Sequence, residues 1–151
     1  LGNLVLGRLG LMGRLGASVR DLQGLAYYVY SGVDSGRTSG MWVARAGVDP
    51  KNVEQAIASI REELGKLRES GVTDQELADA KSYLTGSVPL ALERNDGIVD
   101  LLMSIEYFKL GLDYLDRYPG LINAVTSEQV LEAARTHLDE TKLAVGVAGP
   151  K

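Results

Sequence analysis

An arginine and a tyrosine stand seven residues apart in the run Ser18–Tyr30, across what the pattern predicts to be a helix-to-strand junction. Arginine offers five N–H donors in a fixed plane, and tyrosine offers a phenolic O–H. Two such donors on one turn can bind a peptide carbonyl, or stabilise the oxyanion that forms when the carbonyl is attacked. Arg20 and Tyr27 are therefore the candidate site residues. The competing interpretation is a buried aromatic strand beside a surface ion.

The other residues that could do chemistry do not form a recognisable site. Cysteine is absent, which excludes disulfides and thiolate chemistry. The single histidine, His137, is expected near a helix end at the surface. No HExxH, HxxEH or GxSxG motif occurs, so we predict no metal site and no serine triad in this chain. The pairs Glu62–Glu63 and Asp113/Asp116 are predicted to be solvated, because adjacent helical residues point in different directions.

Composition restricts the class of protein. The 151 residues are 45% hydrophobic, enough for one domain with a core, which we place at 1–151. A net charge of −4 without a basic patch argues against nucleic acid as a partner. No apolar run reaches the ~20 residues that span a bilayer, so no membrane segment is expected. No N-terminal signal is visible; the compartment is left unknown, with the cytoplasm favoured.

The candidate residues must be positioned by the elements around them. A short helix is predicted from about Leu11 to Asp21, ending near Gly24. Two strands, Leu25–Val33 and Ser39–Val48, are predicted to form an antiparallel hairpin. The sequence Asp34–Arg37 between them has the residue types of a turn.

Four glycines at spacings of three precede this junction, at positions 7, 10, 13 and 16. Because glycine lowers helix propensity, residues 7–11 are predicted to be loop. The series matches neither phosphate-loop pattern, so we interpret it as allowing tight turns and close backbone approach. A small-molecule site on this loop is an alternative that no motif supports.

The second half of the sequence predicts mainly helices. Asp49-Pro50 is a helix start, and an apolar stripe then continues to Gly71, where the helix should end. Capping boxes begin at Thr73 and Thr126 and predict two further helix starts. The remaining expectations are a kink or end at Pro89, a break at Asn95–Gly97, a short segment bracketed by Gly111 and Pro119, and a closing apolar strand at Leu143–Val147.

This order of elements predicts an α+β fold, a two-layer sandwich of a mainly antiparallel sheet with helices on one face. Three strands are few for so many helices. We therefore expect further strands ahead of Leu1 in a longer parent protein.

The segment Arg14–Tyr27 resembles the second half-domain of the M16 zinc peptidases, the family of pitrilysin, insulinase and the mitochondrial processing peptidase. It follows the pattern R-L-x-x-x-[VL]-R-x-x-x-G-L-[AG]-Y after a glycine-rich turn. Similar segments follow in family order at 84–93, 105–108, 111–114, 118–119, 122–126 and 143–149. The fold that this resemblance implies is the LuxS/MPP-like metallohydrolase half-domain, here without its first strands.

The resemblance implies that two homologous half-domains have different roles in catalysis. One half carries zinc on an HxxEH motif, and the other supplies an arginine and a tyrosine that reach the substrate. Those positions match Arg20 and Tyr27. The chain is thus expected to hold no zinc or other cofactor itself, and to work with a zinc-bearing half-domain, in the same polypeptide or as a separate subunit, on a peptide substrate. The alternative within the family is a non-catalytic scaffold or core subunit.

Overall fold

The computed structural model describes residues 1–36 and 40–149, and the sheet in these residues is one antiparallel hairpin. Strand β1 spans Ala26–Ser35 and pairs with strand β2, Gly40–Val48. The register places Tyr30 opposite Arg45 and Ser31 opposite Ala44. Val29 and Ser31 are buried on one face of β1, whereas Tyr28 and Tyr30 on the other face are 49% and 40% exposed. One face of the hairpin is therefore covered and the other is open.

The predicted hairpin is confirmed, with one change at its turn. Asp34 and Ser35, predicted as turn residues, extend β1 and pair with Met41 and Gly40. The cross-strand pairing decides the strand end here, against the turn preference of the two residues. The other predicted turn residue, Arg37, and the predicted strand start at Ser39 lie outside the described residues.

Two short helical segments, Leu4–Arg8 and Gly16–Leu22, pack against β1, and a third, Gly10–Met12, packs against both of them. The prediction of loop at residues 7–11 is therefore wrong. Tertiary packing overrides the low helix propensity of glycine: a Cβ added to Gly7 would lie 2.5 Å from the Ser31 Oγ. Gly7, Gly13 and Gly16 thus allow close backbone approach, as predicted, whereas a Cβ at Gly10 would meet no atom within 4 Å.

Helix α1 spans Val53–Ser70 and begins and ends as the sequence predicts. Asp49 accepts a hydrogen bond from the Lys51 backbone N–H at 3.1 Å and starts a 3₁₀ turn that leads into the helix. At the other end Gly71 adopts a φ of 73°, which a residue with a Cβ rarely adopts. Local capping chemistry therefore sets both ends.

The first of two compact units contains Leu1–Thr73 and the C-terminal segment from Ser127. Helix α1 packs in it against the last long helix, Ser127–His137, which follows the predicted capping box at Thr126. Its largest fully buried apolar side chains come from the residues before β1 and from α1: Leu6, Leu15, Val19, Leu64 and Leu67. The Arg14 guanidinium donates a hydrogen bond to the Gly71 carbonyl at 2.9 Å. The segment before β1 is therefore fixed to the end of α1.

The second unit, Asp74–Thr126, contains three helices: α2 (Asp74–Leu92), α3 (Asn95–Phe108) and α4 (Tyr114–Asn123). With these named, the helix Ser127–His137 is α5. The predicted end or kink at Pro89 does not end α2, which continues for one more turn. A proline removes one backbone hydrogen bond, and the remaining bonds of this long helix hold its last residues. Helix α4 likewise continues through Pro119.

The predicted break at Asn95–Gly97 lies two residues too late. The chain turns at Glu93 and Arg94, and the Arg94 guanidinium bonds both carboxylate oxygens of Asp96, at 2.9 and 2.8 Å, in the first turn of α3. A Cβ on Gly97 would collide with the Ala91 carbonyl oxygen. Gly97 is therefore the site of a close approach between two helices.

The predicted strand Leu143–Val147 has no strand pairing in the part of the chain that the structure describes. An apolar segment becomes a strand only where it lies beside another strand and pairs with it, and among the described residues β1 and β2 pair only with each other. Val145 and Val147 are 52% and 65% exposed. The α+β class with an antiparallel sheet is confirmed, and the assignment of 1–151 to one half-domain stays a prediction. None of the helices within 1–36 and 40–149 combines the length and apolar character needed to span a membrane.

Candidate functional site

Arg20 lies in the last turn of the helical segment Gly16–Leu22, which has π-type hydrogen bonding. Its neighbour Val19 is fully buried and fixes that turn in the core. Gly24 reverses the chain with a φ of 61°: its N–H donates to the Arg20 carbonyl at 2.9 Å, and the Leu25 N–H donates to the Val19 carbonyl at 3.0 Å. The predicted helix-to-strand junction is confirmed. Arg20 and Tyr27 stand on its two sides, four residues before Gly24 and three residues after it.

The junction is held against α1 by one glutamine. The Ser59 hydroxyl on α1 donates to the Gln23 Oε1 at 3.0 Å, and the Gln23 Nε2 donates to the Ser18 hydroxyl at 3.3 Å. Ser59 is 6% exposed, so this contact lies at the edge of the core. The turn that separates the two candidate residues is thereby fixed to the longest helix of the first unit.

Tyr27 is the extra residue of a β-bulge. Ala26 pairs with Val48 and Tyr28 pairs with Gly47, so two residues on β1 oppose one residue on β2. A regular strand would place Tyr27 on the same face as the buried Val29. The bulge shifts this alternation, and Tyr27 is 85% exposed. The phenol that the sequence identifies is thus directed outward by the hairpin.

The donors of both candidate residues are available. Within residues 1–36 and 40–149, neither the Arg20 guanidinium nor the Tyr27 hydroxyl makes a hydrogen bond or an ion pair with another described group. Arg20 is half-buried and Tyr27 is exposed. Tyr27 also lines an open groove of about 640 Å³, formed by the start of β1, the end of β2 and the turn that follows β2. Arg20 lies outside this groove, and no hydrogen bond joins the two candidates.

The carboxylates and the histidine have structural surroundings. Lys66 bonds Glu62 and Glu63, each at 2.8 Å, and these hydrogen bonds raise the pKa of Lys66. Glu63 is 6% exposed, so the prediction that it is solvated is wrong; the inner face of α1 buries it beside its lysine partner. A hydrogen bond from Arg117 at 2.7 Å lowers the pKa of Asp113. His137 is exposed at the end of α5, as predicted.

In the described ranges, no group of three or more histidine and carboxylate side chains is arranged to hold a metal ion. The described residues of this chain therefore do not fit a catalytic zinc. The polar groups of the two candidate residues at this junction, a guanidinium and a phenol, are hydrogen-bond donors.

The sequence identified Tyr27 as a candidate, but the β-bulge that exposes it was not predicted. The sequence feature that could have indicated this bulge is Gly47, an isolated glycine inside the predicted second strand. Glycine in a strand interior often marks a bulge or a close approach of another group. Both occur here, because the bulge opposes Gly47 and the Tyr28 ring lies against it.

Comparison with known proteins gives one consistent family. The sequence profile of the family described as "Peptidase M16 inactive domain" matches residues 3–84, more than half of the chain. The chain is 34% identical over 133 residues to the uncharacterized zinc protease YmxG of Bacillus subtilis, which covers 88% of the chain and 32% of YmxG. It is 26% identical over 137 residues to the probable inactive metalloprotease YmfF of the same organism, covering 90% of the chain and 32% of YmfF.

A solved structure agrees with this match. The crystal structure of a peptidase M16 inactive domain from Pseudomonas fluorescens superposes with a TM-score of 0.82 at 31% identity, over 91% of this chain and 32% of that chain. The chain thus spans about a third of the length of the relatives it matches. On its sequence match and its fold, the chain belongs to the M16 peptidase family, as a half-domain of the type described as the M16 inactive domain.

Proposed function

We propose that this chain is the substrate-binding and transition-state-stabilising half of a zinc-dependent metalloendopeptidase. Its substrates would be peptides or unfolded protein segments, as for the pitrilysin, insulinase and processing-peptidase members that the sequence resembles. The observation that carries the proposal is the pair of unengaged donors, Arg20 and Tyr27, on the two sides of one anchored turn.

Each residue has a role that suits its chemistry. The Tyr27 hydroxyl is exposed at the groove and can donate to the oxygen that becomes negative when a peptide carbonyl is attacked. The Arg20 guanidinium can bind a substrate carbonyl with two parallel N–H donors. A neutral phenol stabilises the charged state more than the ground state, so it contributes chiefly to kcat.

The zinc in this proposal belongs to a partner half-domain, in the same polypeptide or as a separate subunit. Bound there, zinc would supply an activated water and polarise the scissile carbonyl. The described residues of this chain offer donors and no metal ligands, which is consistent with that division. The chain alone is therefore expected to be inactive as a peptidase.

A second candidate function is a non-catalytic scaffold or core subunit. The relative YmfF is named a probable inactive metalloprotease, which favours this class for some members. A scaffold has no need of an arginine and an exposed phenol with unengaged donors at one junction. The two candidates therefore differ in whether Arg20 and Tyr27 affect turnover.

The test uses the parent protein together with its zinc-bearing half-domain and a quenched fluorescent peptide. Tyr27→Phe and Arg20→Ala should each lower kcat/KM at least tenfold, toward the ~10²–10³ known for removal of one oxyanion donor. The matched controls are Tyr30→Phe on the open face of the hairpin and Arg61→Ala on the exposed face of α1. If both test variants are as active as the controls, the roles assigned to Arg20 and Tyr27 are refuted and the non-catalytic scaffold becomes the favoured function.

A further inference from the structure

The Tyr28 ring and Gly47 form a tight cross-strand pair beside the exposed phenol of Tyr27. A Cβ added to Gly47 would lie 2.5 Å from the Tyr28 Cε1 and 3.0 Å from its Cδ1. Real Cβ atoms essentially never approach that closely. The ring therefore occupies the space that a side chain at position 47 would fill, and only glycine leaves it open.

This pair lies at the bulge itself. Tyr28 and Gly47 are register partners, and Tyr27 is the residue inserted between this pair and the Ala26–Val48 pair. Aromatic side chains placed across from glycine are a known means of fixing strand register. The Tyr28 ring also lies near the Tyr30 ring, with ring centroids 6.0 Å apart and ring planes tilted by 31°.

The residues on both sides of the bulge are fixed in the core. Ala26 and Val29 are 7% and 5% exposed, so neither can rotate outward without exposing apolar surface. Between these two buried positions the chain carries two exposed tyrosines where a regular strand would carry one exposed and one buried residue. The bulge keeps both apolar anchors inside and both phenols outside. Loss of the Tyr28 ring from Gly47 would remove the contact that holds it.

We propose that Tyr28 and Gly47 are positioning residues for Tyr27: the ring of Tyr28, seated on Gly47, fixes the bulge that directs the Tyr27 hydroxyl toward substrate. This inference rests on the proposed function, because it assigns the pair a role in catalysis through Tyr27. Neither residue donates to the substrate here. A displacement of about 1 Å at a catalytic group can lower a rate about 10²-fold, so a small movement of the ring is sufficient.

The kinetic test is a double-mutant cycle in the parent protein with its zinc-bearing half. Gly47→Ala and Tyr28→Ala should each lower kcat roughly tenfold to a hundredfold with KM changed less than about twofold. The double variant should be no slower than the worse single variant, because both changes displace one ring. Tyr28→Phe, which keeps the ring, should recover most of the rate lost in Tyr28→Ala. Additive losses, or a failure of phenylalanine to recover the rate, would overturn the inference.

An NMR experiment distinguishes a failure of this inference from a failure of the proposed function. With selectively labelled tyrosine, NMR should show a nuclear Overhauser effect between the Tyr28 ring and the Gly47 α-protons. In Gly47→Ala that signal should disappear and the resonances of Tyr27 should move, while those of Tyr114 in the second unit stay fixed. Unmoved Tyr27 resonances would refute the positioning role whatever the activity. If they move as expected while Tyr27→Phe leaves turnover unchanged, the positioning survives and the proposed function fails.

Discussion

Replacement of Gly16 by alanine tests whether close backbone packing holds the segment that carries Arg20. An added Cβ would lie 2.7 Å from the Leu11 Cα and closer still to the Gly10 carbonyl oxygen. Both contacts are backbone atoms, which cannot rotate away. Restoring the Leu11 contact to an ordinary 3.4 Å requires a separation of about 0.7 Å, and the closer Gly10 oxygen requires the two helical segments to separate further.

Overpacking of this kind costs about 1–3 kcal/mol, and rigid backbone on both sides places Gly16→Ala near the upper value. The greater helix propensity of alanine returns about 1 kcal/mol. The net loss of about 2 kcal/mol corresponds to a Tm lower by roughly 4–8 °C in a protein of this size. Thermal unfolding followed by circular dichroism measures the shift.

The matched control is Gly32→Ala in β1. An added Cβ at Gly32 meets no atom within 4 Å, so the Tm should hold steady or rise slightly. A Tm of the Gly16→Ala variant equal to or above that of the wild type would refute the packing argument. It would also remove the physical reason given for the glycine spacing.

Two further predictions concern the polar contacts. Asn3→Ala removes the acceptor of the Ser31 hydroxyl (2.8 Å) and of the Trp42 indole N–H (2.9 Å). The free energy of unfolding should therefore fall by about 1–3 kcal/mol, measured by urea unfolding with the fluorescence of the single tryptophan. An unchanged unfolding midpoint would contradict this prediction. The pKa of the Asp113 carboxyl, measured by NMR, should lie below its ordinary value of 3.8, because Arg117 bonds its charged form. Arg117→Gln should raise this pKa. The stability that the Asp113–Arg117 pair contributes is present above the pKa of the unfolded state and is lost as the pH falls through the pKa of the folded state.

Helix α1 shows what local sequence can predict. Its start depends on the Asp49 side chain and Pro50, and its end depends on the positive φ of Gly71. Each of these is a property of one residue and its immediate neighbours. The antiparallel pairing of β1 with β2 and the helix-to-strand junction at Gly24 were predictable for the same reason.

The parts that sequence could not predict depend on contacts between distant residues. Residues 7–11 have poor helix propensity, yet most of them are helical, and Gly7 packs closely against Ser31 of β1. The open orientation of Tyr27 depends on the register across the hairpin, because a two-residue period alone would bury it beside Val29. Glu63 similarly lies on a polar stretch of sequence but on the inner side of α1.

Arg20 and Tyr27 were identified from their types and spacing, and their assigned roles stay predictions. The structure adds that both have unengaged donors and that a bulge exposes the phenol. The described residues include no cluster of three or more possible metal ligands. The proposed chemistry therefore depends on a surface outside this chain.

The most direct measurement compares a substrate with a tetrahedral transition-state analogue in the parent protein. If Tyr27 stabilises the oxyanion, Tyr27→Phe should raise the inhibition constant of a phosphinic peptide by the factor by which it lowers kcat/KM, about tenfold or more, while KM changes little. An unchanged inhibition constant beside a lowered kcat/KM would contradict transition-state stabilisation by Tyr27. Equal affinity and equal turnover in wild type and variant would contradict any catalytic role for this half-domain's phenol.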